Sequence, residues 1–244
     1  MPHTIRLIPF ANGDGPHNMA ADEVLLESAA NRIASLRFYG WNNATLSLGY
    51  FQPERLRLSD PSVAALPYVR RASGGAALVH HHEITYSLAL PPGSPWQTGE
   101  SWLTRMHTYI VTGLRELDVE TSPYIPAADP PLTGVLCFRH FTAGDLMIGS
   151  SKIVGSAQRK QRGALMQHGG ILLARSRHAP ALPGILELTG RSLTVEETCV
   201  TVLRAFAQAT GWEVVEGGWT AAESNRIEEL ANNKYSQEAW NRKR

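Results

Sequence analysis

The hydrophobic period of this chain changes within twenty-odd residues, and that change limits the folds open to it. Ile84, Tyr86, Leu88 and Leu90 alternate with Thr85, Ser87 and Ala89, a period of two that reads as a strand. Trp102, Met106, Tyr109, Ile110, Gly113, Leu114 and Leu117 then share one stripe of a helix beginning near Thr98 or Ser101. An amphipathic helix following a strand needs a sheet to lie on. Upstream, Ile5 to Phe10 reads as a strand, and after His17-Asn18 the residues Met19, Leu26, Ala30 and Ile33 recur at helical spacing. Leu36 to Trp41 and Thr45 to Phe51 are β-rich, and Asn42-Asn43 between them predicts a hairpin. Pro61 to Pro67 breaks the chain before a strand from Tyr68 to Arg71.

Downstream, residues 122–134 are proline-rich and predict a long irregular loop. Strand-like pieces follow at Asp145 to Ile148, Lys152 to Ala157 and Leu165 to Ala174. Thr194 to Glu197 reads as a capping box opening a helix to about Gly211, and a last helix is expected near Ala221 to Ala231. The order is too mixed for βαβ alternation or a sandwich. The expectation is an α+β fold with a mixed, mostly antiparallel sheet flanked by helices, residues 1–244 forming a single domain.

Composition narrows the function. Twenty-three Lys and Arg against 22 Asp and Glu leave a formal charge of +1, too small a field for a chain that works by neutralising nucleic-acid phosphates. The sequence has neither a membrane-length apolar run nor a secretion signal, so no membrane role and a cytoplasmic location are expected. Cys137 and Cys199 form no disulfide framework. Cys199 falls on the apolar stripe of its helix and reads as structural. Cys137 follows the proline-rich loop and is trailed by Arg139 and His140, cations that favour a thiolate when they face the sulfur.

Two segments read as ligand contacts. Arg70-Arg71-Ala72-Ser73-Gly74-Gly75-Ala76 offers guanidinium donors beside glycines that let a ligand approach backbone N–H groups, although a basic hairpin turn reads the same way. It matches no Walker or dinucleotide fingerprint. In DLMIGSSKIVGSAQ, from Asp145 to Gln158, Lys152 is the lone lysine among small and apolar residues, placed either as a point donor or as an ordinary surface charge. His80-His81-His82 lacks a third ligand at metal spacing, so no metal is expected, and His168-Gly169 reads as a ligand-side or structural turn.

Taken together, these segments resemble the biotin/lipoate protein ligase superfamily, in its lipoate-ligase and octanoyltransferase branch. The resemblance rests on Asn18 to Glu23 (NMAADE), the RFYGW run from Arg37, TLSLGYFQ from Thr45, RRASGGAALVH from Arg70, KIVGSAQRKQRGALMQHGGILL from Lys152 and KYSQEAW from Lys234. It implies the superfamily's catalytic-domain fold, here without an accessory C-terminal domain. It also implies an acyl pocket built from Arg70, Arg71, Ser73, Gly74, Gly75, Ala76, His80, Gly155, Ser156, Ala157, Gln158, His168 and Gly169. The Leu136-Cys137-Phe138 segment resembles the nucleophile loop of LipM-type octanoyltransferases, which makes Cys137 the nucleophile and Lys152 the cation that favours its thiolate.

The implied reaction moves octanoyl from acyl carrier protein through a Cys thioester to the lysine of a lipoyl-domain acceptor such as glycine-cleavage H protein. No cofactor is required; the expectation is that Lys152, neutral once the thiolate is consumed, accepts the proton of the acceptor lysine. Ala76 in place of a third glycine, His81 where an acidic residue is common, and Gly144-Asp145, closer to the Asn-Asp of ligases, depart from the pattern. The alternatives are the catalytic half of an ATP- and Mg-dependent lipoate ligase, an octanoyl or lipoyl amidotransferase, and a non-catalytic acyl-binding protein.

Overall fold

The computed structural model describes residues 3–126 and 141–243. The chain opens with β1 (Thr4–Gly13), α1 (Gly15–Ala30), β2 (Ser35–Trp41) and β3 (Thr45–Leu48). A 3-10 turn at Glu54–Ser59 leads to α2 (Pro61–Ala64), then β4 (Tyr68–Arg70), β5 (Leu78–His80), β6 (Glu83–Leu90) and α3 (Trp102–Arg115). After β7 (Ser122–Pro123) come β8 (Leu146–Ile148), β9 (Ser151–Gln161), β10 (Ala164–Leu172), α4 (Ile185–Thr189) and α5 (Val195–Thr210). The chain closes with β11 (Glu213–Glu216), α6 (Ala221–Leu230), a π-helical turn at Ala231–Tyr235 and α7 (Glu238–Asn241).

Among the described residues, eight strands form one sheet in the order β11-β1-β2-β6-β10-β9-β8-β7, and β4-β3-β5 form a second, smaller one. Only the β11/β1 and β1/β2 pairs of the large sheet are parallel, so it is mixed and mostly antiparallel, as expected. Helices α3 and α5 cover one face, where Trp102, Met106, Ile110, Leu114, Val202 and Phe206 meet Leu36, Phe38, Ile84, Tyr86, Leu88 and Leu90. Helix α1 and the C-terminal segments cover the other, through Leu25, Leu26 and Ala29 against Ile8, Ala89 and Met166, and Met19 and Val24 with Tyr39, Ile227 and Tyr235.

Strands β2, β6 and β10 are therefore buried along their whole length. The alternate residues of β6, Thr85, Ser87 and Ala89, are buried on the α1 side of the sheet.

The caps follow sequence. Asp14 accepts from the His17 amide, Ser101 from Leu103 and Thr194 from Glu197, each satisfying an N–H that the helix leaves orphaned. The expected hairpin at Asn42-Asn43 does not form. Both edges of β2 are occupied by β1 and β6, so the chain leaves the large sheet there and β3 pairs with β4 and β5 instead. Leu117 and Ile33 lie beyond the helices whose stripes they were expected to extend, and β11 was not anticipated. The segment from 122 contributes the two-residue strand β7, while 127–134 lie outside the described residues.

One residue ties the C-terminal helix to the sheet. Glu223 caps α6 by accepting from the Thr220 amide at 2.9 Å, and also accepts from Arg6 at 2.7 and 2.8 Å and Ser28 at 2.7 Å. Burial works to raise its carboxyl, but the bonds from Arg6, Thr220 and Ser28 hold it down at about 2 against an ordinary 4.5. A depressed carboxyl stabilises the fold above its unfolded value and loses that contribution as pH falls through the folded one. Glu223→Ala should therefore cost about 2 kcal/mol in urea unfolding at pH 7, with the deficit shrinking from about pH 4.5 downward.

Candidate active site

The α1-side face of the large sheet and the small sheet enclose an open cleft of about 470 Å³. Strands β9 and β10 form its floor with Gly155, Ser156, Ala157, His168, Gly169 and Gly170. The small sheet and the loop after β4 give Ser47, Leu78, His80, Arg71, Gly75 and Ala76, and Met19, Tyr39 and Thr85 complete the lining. Nine of the expected pocket residues thus meet in one place although they lie up to 98 positions apart in the chain, from Arg71 to Gly169. The polar groups are few and fixed among small and apolar ones, as in sites for small apolar ligands.

The glycines of the floor have steric reasons. A Cβ on Gly155 would lie 2.4 Å from Lys152 Cε and 2.8 Å from its Nζ, because the lysine stem runs across that glycine. A Cβ on Gly169 would lie 2.3 Å from Ser156 Oγ and 2.8 Å from the Tyr86 ring. The Lys152 ammonium reaches Asp145 Oδ2 at 2.7 Å, with both side chains only 2% exposed. Asp145 is held in turn by the Thr142 amide at 2.7 Å and hydroxyl at 3.0 Å. A buried ammonium needs such a partner, and breaking one half of a pair like this leaves the other charge uncompensated. Nothing in the amino-acid order signalled that Asp145 partners Lys152; the contact follows from the antiparallel pairing of β8 with β9.

The roof is a glycine turn gripped by arginines. Arg71 donates to the Gly74 and Ala76 carbonyls at 2.8 and 2.7 Å and to Ser47 O at 3.0 Å, curling the loop around its own guanidinium. Gly75 adopts φ +89°, and Gly49 packs so tightly beneath it that a Cβ there would fall 1.8 Å from Gly75 O. Within the described residues the Gly74 and Gly75 amides donate no hydrogen bond. Arg70 is placed differently from the expectation. It is wholly buried behind the loop, donating to the carbonyls of Gly49, Gln52 and Asn241 at 2.6 to 2.9 Å, so it shapes the turn and does not line the cleft. Gly74 and Ser73 also stand behind the lining, and Gln158 bonds Gln167 Oε1 at 2.7 Å.

His80 is 4% exposed, stacked on Trp41 with ring centroids 3.8 Å apart, and bonded to Glu83 Oε1 and Ser47 Oγ, both at 2.8 Å. Burial lowers its pKa despite the Glu83 carboxylate beside it. His107, missed in the sequence because it sits on the buried stripe of α3, bonds Gly144 O through Nδ1 and Ser156 Oγ through Nε2, each at 2.6 Å. A carbonyl only accepts, so Nδ1 carries the proton, Ser156 donates to Nε2, and Tyr86 OH donates to Ser156 at 2.7 Å. This one-way chain starts from Gln167 Nε2, which donates to Tyr86 OH at 2.7 Å, and ends on the Gly144 carbonyl. It anchors Gly144, the neighbour of Asp145, to helix α3. Burial, first of all, lowers the His107 pKa and keeps the ring in the neutral form that the chain requires.

Cys137 lies outside the described residues. Cys199 is half-buried in α5, and burial pushes its thiol up to about 12, in keeping with a packing role.

The sequence pattern of the lipoyl protein ligase A/B catalytic domain matches residues 14–207. The octanoyltransferase LipM of Moorella thermoacetica is 32% identical, covering 99% of this chain and 98% of its own. Among solved structures, a lipoate-protein ligase A bound with ATP superposes with a TM-score of 0.78 at 21% identity over 98% of both chains. A bi-partite lipoate protein ligase from Thermoplasma acidophilum, studied with its E2 lipoyl domain, superposes with a TM-score of 0.75 at 20% identity, covering 99% of this chain and 97% of that one. At those identities the superpositions establish the fold.

Two outcomes are expected. Gly155→Ala should leave far-ultraviolet circular dichroism unchanged but displace Lys152, and if Lys152 takes part in the reaction acyl transfer should fall by at least about tenfold, since misplacing a reacting group by a fraction of an ångström costs about that much. His80 and His107 are held neutral, whereas an unfolded histidine takes up a proton near its ordinary 6.5. Their contribution to stability is complete above that value and is lost as pH falls below it, so the urea midpoint should drop between pH 7.5 and 5.5. His107→Gln should make that drop shallower.

Proposed function

We propose that this chain, which belongs to the lipoyl protein ligase A/B catalytic-domain family, is an octanoyltransferase that takes octanoyl from acyl carrier protein and delivers it to a lipoyl-domain lysine. The reaction uses no ATP and no metal, and the reading puts the protein in the cytoplasm as a single catalytic domain. One observation carries it most directly. The floor of the cleft is cut back to glycine where a buried lysine lies across it, in a chain with full-length likeness to octanoyltransferases.

In this reading Cys137 attacks the donor thioester and Lys152 supplies the positive charge that favours its thiolate. The amides of Gly74 and Gly75, which donate to nothing else among the described residues, are suited to hold the oxyanion. The octanoyl tail lies against Met19, Leu78, Ala76 and Ala157, each buried methylene adding about 0.8 kcal/mol toward chain-length selection. No helix of the described residues is long and apolar enough to cross a membrane.

Intact mass spectrometry after incubation with octanoyl carrier protein, without ATP, tests the reading. Wild type should gain one octanoyl group removable by hydroxylamine, and Cys137→Ala should gain none. An unacylated wild type that instead makes octanoyl- or lipoyl-adenylate from free acid and ATP would identify a ligase. Donor docking is assigned to Arg159, Lys160 and Arg162. Arg159 bonds Ala72 O at 2.9 Å beside the glycine turn, and Lys160 and Arg162 are exposed on the same hairpin, positive charges complementary to an acidic carrier. Reversing all three charges should raise the donor KM at least about tenfold and leave the acceptor KM within about twofold.

A further inference from the structure

Amide formation needs a base as well as a nucleophile, and the pair expected to provide one is already committed. Lys152 is an ammonium ion-paired with Asp145, and a protonated amine has no lone pair with which to accept. A second acid–base unit stands on the same floor. His168 lies opposite Ala157 in the β9/β10 ladder, one same-face step from Gly155, or roughly 7 Å along the strand. Its Nδ1 is 2.8 Å from Asp22 Oδ2, and its Nε2 is bonded to Ser73 Oγ.

The directions of these bonds follow from the partners. A carboxylate accepts only, so Nδ1 carries a proton, and in the neutral ring Nε2 keeps a lone pair to which the Ser73 hydroxyl donates. Asp22 is fixed from three sides: His168, the Tyr39 hydroxyl at 3.0 Å, and the Arg37 guanidinium 3.6 Å from its other oxygen. Asp22, His168 and Ser73 come from α1, β10 and the turn after β4, segments up to 146 positions apart, and are 3%, 6% and 1% exposed. Of the three, His168 lines the cleft. An imidazole tautomer fixed by a buried carboxylate, with its free nitrogen capped by a rotatable hydroxyl, is the arrangement of a general base.

We infer that His168, held by Asp22, is the base that takes the proton from the acceptor amine, the Ser73 hydroxyl capping its Nε2 until the amine arrives. The inference rests on the reading that this cleft transfers an acyl group to an amine. The neutral amine nitrogen attacks the thioester carbonyl, forming the C–N bond and becoming positively charged. His168 Nε2 takes that N–H proton, so the tetrahedral adduct collapses by breaking C–S, and the electron pair leaves on sulfur. The imidazolium, stabilised by Asp22, passes its proton to the departing thiolate. Amine and thioester become amide and thiol, and His168 is regenerated.

The test separates loading from transfer. Octanoyl-loaded enzyme, prepared from octanoyl carrier protein and followed by intact mass, is mixed with a lipoyl-domain acceptor or with hydroxylamine, a weakly basic nucleophile that depends little on proton removal. His168→Gln should slow transfer to the lysine at least about 100-fold while slowing hydroxylamine cleavage less than about tenfold. Asp22→Asn should act in the same direction, and the double variant should be no slower than the slower single one, because the two act as a unit. Equal losses with both nucleophiles, lysine transfer near the wild-type rate, or additive losses in the double variant would each overturn the assignment. A wild type that never becomes loaded would instead overturn the transferase reading, and a transfer assay from acyl-adenylate with the same variants would then decide the role of His168.

Discussion

The architecture of the cleft depends on a guanidinium with no access to water. Arg70 carries five N–H donors and no acceptor, so its burial demands that carbonyls converge on it from several directions. They come from Gly49 and Gln52 on the loop after β3 and from Asn241 in α7, while Asn241 Oδ1 accepts the Arg70 amide and the Trp240 indole donates to the Arg70 carbonyl. The C-terminal helix is thereby locked to the strand that leads into the glycine turn. With the backbone of residues 70 and 71 held in this way, Arg71 can wrap the turn around its own guanidinium, and Gly75 comes to line the cleft.

The large sheet has two unlike faces, and this difference positions the chemistry. One face is an apolar interface with α3 and α5. The other carries His168, Glu83 and Thr85, which meet Asp22 of α1 and His80 of the small sheet in a buried polar layer, where low dielectric strengthens every bond that is made and penalises each one that is not. Ser156 belongs to both worlds: its hydroxyl is bonded on the helix side by His107 and Tyr86, and the residue also lines the cleft. Two carboxylates, Asp145 and Asp22, each hold a different nitrogen base, the first the amine of Lys152 and the second the imidazole of His168.

Much of this was legible in the amino-acid order. Period-two and period-3.6 patterns located β6, α3 and α5, because burial of one face imposes them. The hairpin at Asn42-Asn43 failed because a turn signal is local, whereas which edge of β2 is free depends on strands distant in sequence. β11 is four residues with little burial, too short for a periodic signal. Arg70 was read as a ligand donor because a sequence shows a charge but not the carbonyls that surround it.

By itself the sequence determined most element types and several of the small residues that line the cleft, Gly75, Ala76, Gly155, Ala157 and Gly169 among them. It did so because helix caps, hydrophobic periods and glycines act within a few residues of where they are written. Only the tertiary structure decided that Asp145 partners Lys152, that Asp22 reaches His168 across 146 positions, and that His107 anchors Gly144. Those partnerships follow from strand register and helix packing, and both are set by the burial of the whole chain at once.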